Sequence, residues 1–133
     1  MKFYRKNKNN DKRNNLKRLY SKNHDEKIRD IQVADTYFSR LLGLMFKKST
    51  DYPLLFKIPK NRNNRHGSSI HSCFMRFELK LVFIDENNIV FELADLKPWR
   101  YYVPKKGAKY IIEIDKNKFN NYNINIGDEI VLE

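Results

Sequence analysis

Apolar and polar positions trade places along this chain with two different rhythms. In Lys27–Ala34, Ile31 and Val33 alternate with Asp30 and Gln32, the period-two pattern of a half-buried strand. Leu16–Tyr20 is its predicted hairpin partner, across the polar segment 21–26. After Ala34 the period lengthens. Asp35 offers a carboxylate as N-cap, Phe38, Leu41 and Leu42 share one helical face, and Gly43 suits the left-handed stop. A short helix is predicted there. Leu44, Met45 and Phe46 follow, then a polar turn and a strand over Leu54–Ile58 between Pro53 and Pro59.

Four further strands are predicted in quick succession: Ile70–Met75, Leu79–Ile84, Ile89–Leu96 and Ala108–Asp115. Leu79–Ile84 is apolar on both faces except at Lys80, which predicts a central position. Residues 85–88 (Asp-Glu-Asn-Asn) form a hairpin turn to the third strand. In the fourth, Tyr110, Ile112 and Ile114 line one face and Lys109, Glu113 and Asp115 the other. A helical turn near Lys118–Tyr122, a tight turn at Gly127 and a closing strand Ile130–Leu132 end the pattern. Short strands at close spacing predict an α+β domain that is mainly β, a small barrel-like antiparallel or mixed sheet with one short helix packed on it.

Composition changes that picture in one respect. Residues 1–27 hold ten Lys/Arg against three Asp/Glu, while residues 28–133 hold seventeen against thirteen. The formal +11 is thus concentrated in a tail that has little to bury. Residues 1–14 are expected to be a disordered basic tail and 15–133 a single domain. The sixteen Asn spread along the chain point to biased codon usage as the source of the tail's composition. One cysteine excludes an internal disulfide. The longest apolar run, Leu81–Ile84, is too short to span a bilayer, and the N-terminus lacks the apolar centre of a signal peptide. The expectation is a cytoplasmic protein with no membrane association.

Candidate chemistry concentrates in residues 70–76 and 95–102. His71 and Cys73 share a strand face, a pair that zinc favours, and Met75 joins them. No second cysteine, Cys-x-x-Cys or His-rich helix completes a metal set, so no metal or cofactor is expected. A Cys73/His71 nucleophilic pair lacks a visible orienting carboxylate and oxyanion hole, so no catalytic residue is assigned and the balance leans away from an enzyme. Asp85 and Asp128 sit in turns that Asx hydrogen bonding explains. The four glycines are isolated, which excludes the usual phosphate loops.

Several segments in order resemble the domain-of-unknown-function 192 family, in its archaeal form. They are Arg40–Phe46, Ile70–Phe77, Phe83–Asp85, Leu96–Trp99, Ala108–Glu113 and Ile126–Asp128. The resemblance covers about residues 16–133. It implies a compact, mainly β, barrel-like domain with a short helix after the first strands, and it implies no activity. This chain departs from the family pattern at Glu78-Leu79-Lys80, where a strand acid is replaced by Lys80.

Two binding functions are expected from these residues. The first is a non-catalytic barrel that binds a small ligand or a partner protein, with His71, Met75, Arg76 and Trp99 lining a pocket and Arg76 holding an anion. The alternative is a nucleic-acid accessory role for the tail and the Trp99 loop, through Arg62, Arg65, Arg100, Lys105 and Lys106. Tyr101 and Tyr102 supply further aromatic surface beside Trp99.

Overall fold

A computed structural model describes residues 16–34 and 52–133. The expected tail, the Asp35-capped helix and the segment Leu44–Phe46 lie outside the described residues. Nine strands run in chain order: β1 (Leu16–Ser21), β2 (Glu26–Ala34), β3 (Leu54–Lys57), β4 (Ile70–His71), β5 (Leu79–Ile84), β6 (Val90–Leu96), β7 (Tyr101–Tyr102), β8 (Tyr110–Asp115) and β9 (Ile130–Leu132). Two 3₁₀ turns, Lys60–Arg62 and Lys116–Asn121, complete the described structure.

Seven strands form one mixed sheet in the order β6-β5-β8-β3-β2-β1-β9. Among the described strands only the β2–β3 pair is parallel. The sheet is mainly β as expected but is not closed into a barrel. Its edge strands meet at one corner alone, through the Ile89–Glu129 bridge and the Val90 N–H to Asp128 C=O bond of 2.9 Å. The ladder stops there because β9 is three residues long and follows β1 instead.

Period-two alternation places an apolar set on each side of the sheet. Leu79, Leu81 and Phe83 of β5 join Leu54, Phe56, Phe91 and Ile111 in one core. Val82 and Ile84 join Leu55, Ile112, Ile114, Leu19 and Ile28 in the other. β5 has a core against each of its faces, which accounts for its nearly continuous apolar run. β8 differs from its amphipathic forecast. Glu113 and Asp115 are buried, since both faces of that strand are covered. Asp115 Oδ1 accepts the Asn117 N–H at 3.0 Å and so caps the second 3₁₀ turn.

The Ile70–Met75 strand is shorter than expected. Only Ile70 and His71 are extended, pairing with Tyr102 and Tyr101 in a separate two-stranded sheet. A turn replaces the remainder, with Phe74 at φ +63°. The hairpin turn of Asp85 forms as read: its Oδ1 accepts N–H bonds from Asn87 (2.9 Å) and Ile89 (3.1 Å). Asp128 Oδ2 likewise accepts the Asn125 N–H at 2.8 Å.

Candidate functional site

Three loops converge beside the β4–β7 ribbon: residues 58–69, 72–78 and 97–109. Ser72, wholly buried, ties two of them together. Its hydroxyl donates to the Lys97 carbonyl at 2.5 Å and accepts the Arg100 N–H at 2.9 Å. Its carbonyl accepts the N–H groups of Met75 and Trp99, and its own N–H donates to the Arg100 carbonyl. The third loop is held by Arg65 Nε donating to the Pro104 carbonyl (2.9 Å) and by the Ala108 N–H donating to buried Ser68 Oγ (2.9 Å). Backbones touch where it packs. A Cβ on Gly67 would lie 2.3 Å from the Arg62 carbonyl oxygen, and one on Gly107 would lie 2.6 Å from the Asn63 backbone.

This bracing holds three aromatic side chains in solvent: Phe74 (42% exposed), Trp99 (55%) and Tyr101 (61%). Phe74 and Trp99 meet edge to face with ring centroids 4.6 Å apart. Both stand in the left-handed backbone region, Trp99 at φ +61°. For a bulky residue that conformation costs roughly 1–3 kcal/mol. Tyr101 rests its hydroxyl 2.9 Å from Ser69 Oγ. Ser69 also lines a cleft of about 760 Å³, whose wall is Phe56, Ile58 and Ile70 and whose rim carries Lys57, Arg62 and His66.

The residues expected to form a pocket are distributed as follows. His71 and Trp99 are brought onto neighbouring loops by the β4–β7 pairing and by Ser72. Arg76 is exposed. Met75 is only 5% exposed and belongs to the first core, packed with Phe77 and Leu79. Cys73 is half-buried, and its backbone N–H approaches His71 Nδ1 at 3.4 Å. Among the described residues no three His, Cys, Asp or Glu side chains gather into a metal-ligand set.

The cations divide into two populations. Lys106 lies with Asp85 at 3.4 Å and over the Phe91 ring. Burial alone pushes the Asp85 carboxyl up, but the Ile89 and Asn87 N–H groups and the Lys106 ammonium outweigh it and hold it below its ordinary value. Arg62, Arg65, Arg100 and Lys105 have no carboxylate within 4.0 Å among the described residues. The Lys105 N–H donates to Glu92 Oε1 (2.8 Å). Glu92 Oε2 accepts the Tyr102 phenol, and burial followed by that carboxylate pushes the phenol up to about 12.

Lys80, the departure from the family pattern, is opposite Asp95 in register and 3.1 Å from its Oδ1. Lys116 bridges Asp95 (3.5 Å) and Glu78 (3.2 Å). The position is thus a chain of alternating charges at the sheet margin, with Lys80 also over the Phe119 ring.

Sequence reading missed Phe74, Ser68 and Ser72. A residue-type signal for them is weak, because serine and phenylalanine are common in strands and turns.

Comparison with known proteins agrees with the geometry. The family model DUF192, described as an uncharacterized ACR, matches residues 19–132. A UPF0127 protein of Thermococcus sibiricus is 42% identical over 100 residues, 75% of this chain. The match spans 64% of that relative, just under two thirds of its length. A UPF0127 protein of Pyrococcus furiosus is 39% identical over 101 residues, covering 76% of this chain and 84% of that one. Two crystal structures share the fold. A protein of unknown function from Novosphingobium aromaticivorans has a TM-score of 0.68 at 14% identity, covering 87% of this chain and 83% of the other. A Sinorhizobium meliloti protein described as a candidate transcription regulator has a TM-score of 0.68 at 15% identity, covering 88% and 92%. With its family pattern matched from the first strand to the last and its archaeal relatives above 30% identity, the chain belongs to the uncharacterised DUF192 family.

Proposed function

We propose that the protein is a non-catalytic binding module whose site is the aromatic ledge of Phe74, Trp99 and Tyr101 with the adjoining Phe56–Ile70 cleft. The observation that carries this reading is the pair of exposed aromatics in left-handed backbone. Strain of that kind persists where surrounding structure imposes it, and it clusters at binding sites. Here Ser72 imposes it from beneath. A planar group stacks on Trp99, while an anionic group reaches Arg76, Arg100 or the Arg62 and His66 rim. His71 flanks the ledge from β4, and Met75 supports it from the core.

The test is a titration with 1-naphthyl phosphate, a planar ring bearing one anionic group, followed by amide chemical shifts. Saturable shifts are expected at residues 73–76 and 98–101, and Trp99→Ala is expected to abolish them while leaving the dispersed β-sheet spectrum intact. Shifts scattered over the sheet, or shifts at the ledge that survive Trp99→Ala, refute the reading.

A further inference from the structure

Two segments hold most of the folded part's excess positive charge, with Asp85, Glu86 and Glu92 along their border. Residues 52–77 hold five Lys/Arg and no Asp or Glu, and residues 96–112 hold another five and no Asp or Glu. These two segments are far apart in sequence, yet β4–β7 pairing, the Arg65–Pro104 bond and the Ser68–Ala108 bond merge much of them into a single layer. Elsewhere on the sheet Lys22, Lys27, Lys80 and Lys116 are each matched to a carboxylate at 3.1–3.6 Å, while Lys17, Arg18 and Arg29 of β1 and β2 are not so matched among the described residues. On the loop layer Arg62, Arg65 and Arg100 are not so matched among the described residues.

Unneutralised guanidinium groups beside exposed rings select a particular class of ligand. Arg100 lies between Trp99 and Tyr101 in the chain, with its Nη1 3.3 Å from the Trp99 carbonyl. Arg62 and His66 rim the cleft that Tyr101 adjoins through Ser69. A ligand matching this surface carries repeated negative charges along its length and planar groups free to leave their own stack. Duplex nucleic acid has the charges but keeps its bases paired, so the ledge has nothing to stack on. From this charge segregation and the strained ledge, we infer that the loop layer binds single-stranded nucleic acid, bases on Phe74, Trp99 and Tyr101 and phosphates on Arg62, Arg65 and Arg100. This rests on the ledge being the binding face and names the class of its ligand.

The experiment is fluorescence anisotropy of the full chain with labelled 15-nucleotide oligo(U) and oligo(dT), and with a duplex of equal length, over a salt series. The basic N-terminal segment is the same in every variant, so differences between variants report on the layer. Single strands are expected to bind more tightly than the duplex. Trp99→Ala is expected to weaken single-strand binding by roughly ten-fold or more, the effect of losing one stacked base. Arg62→Gln with Arg65→Gln and Arg100→Gln is expected to reduce the slope of log affinity against log salt by roughly 2, since each single-strand phosphate contact contributes about 0.7. Lys22→Gln, at the β1–β9 pair where Lys22 is matched to Glu129, leaves ledge binding unchanged. Equal binding of duplex, an unchanged affinity in Trp99→Ala, or an unchanged salt slope in the arginine variant overturns the inference. If naphthyl phosphate engages the ledge while oligonucleotides do not, the nucleic-acid class fails and the ledge stands. If neither probe engages it, both fail.

Discussion

Replacing Ser72 by alanine separates the bracing of the ledge from the ledge itself. The substitution removes one oxygen from a wholly buried side chain, so no sizeable cavity results. It does break the bond to the Lys97 carbonyl (2.5 Å) and the bond from the Arg100 N–H (2.9 Å). Each buried group left without a partner costs roughly 1–3 kcal/mol. The Lys97 carbonyl keeps a second lone pair and lies in a turn with exposed side chains, so water recovers part of its loss. The Arg100 N–H, a single donor, loses the Ser72 oxygen that accepts it. The expected net loss is about 2 kcal/mol, read as a lower urea midpoint at unchanged slope. For a domain of this size that corresponds to a fall in Tm of roughly 6–10 °C. Ser68→Ala removes a single bond, to the Ala108 N–H at 2.9 Å, and is expected to cost about half as much. Trp99 is the only tryptophan in the chain, so its fluorescence anisotropy reports the local consequence directly. It is expected to fall in Ser72→Ala, because the left-handed turn relaxes once its tie is cut, and to stay unchanged in Ser68→Ala. A stability loss below about 0.5 kcal/mol, or equal anisotropy changes in both variants, refutes the assignment of Ser72 as the brace.

Three further outcomes follow from the same geometry. Gly67→Ala drives a Cβ into the Arg62 carbonyl, which is backbone and cannot swing away, so a loss of roughly 1–3 kcal/mol is expected by thermal or urea unfolding; a neutral substitution would mean the loop shifts freely. Lys80→Asp sets two carboxylates opposite each other in register, costing roughly 1 kcal/mol, and Asp95→Lys in the same chain is expected to recover most of it; equal stability of the single and double variants would remove the cross-strand pair as the cause. The Tyr102 phenol has its pKa raised in the folded state to about 12, from roughly 10 when unfolded, so the stability it contributes is present below pH ~10 and is lost as pH rises towards 12. Tyr102→Phe is therefore expected to show a flatter decline over that window in urea titrations, and parallel profiles would contradict the Glu92 pairing.

Much of the sheet was legible because its signals are local. Period-two alternation marks β2, a nearly continuous apolar run marks β5, and turn residues mark strand ends. The Asp85 and Asp128 turns are short-range hydrogen bonds that one or two residue types suffice to announce. The ordered motifs identified the family for the same reason. The faces of β8 were misjudged because alternation shows amphipathic spacing but not whether a second layer covers the polar side; Glu113 and Asp115 are buried by neighbours remote in sequence.

By itself the sequence determined a mainly β domain, the places of nearly all its strands and the concentration of rare side chains in two segments. Only the tertiary structure decided how those segments meet. Closure was one such decision: a barrel needs its edges to pair along their length, and here β9 spends its short ladder on β1. The ledge was another. A two-residue pairing such as β4–β7 has no periodicity to detect, and Phe74 and Trp99 have no intrinsic preference for positive φ. Their conformation comes from the hydrogen bonds of a buried serine, formed between loops more than twenty residues apart. Charge behaves alike. The acid-free stretches are visible in one dimension, but which cations remain unmatched depends on where the folded chain places each carboxylate.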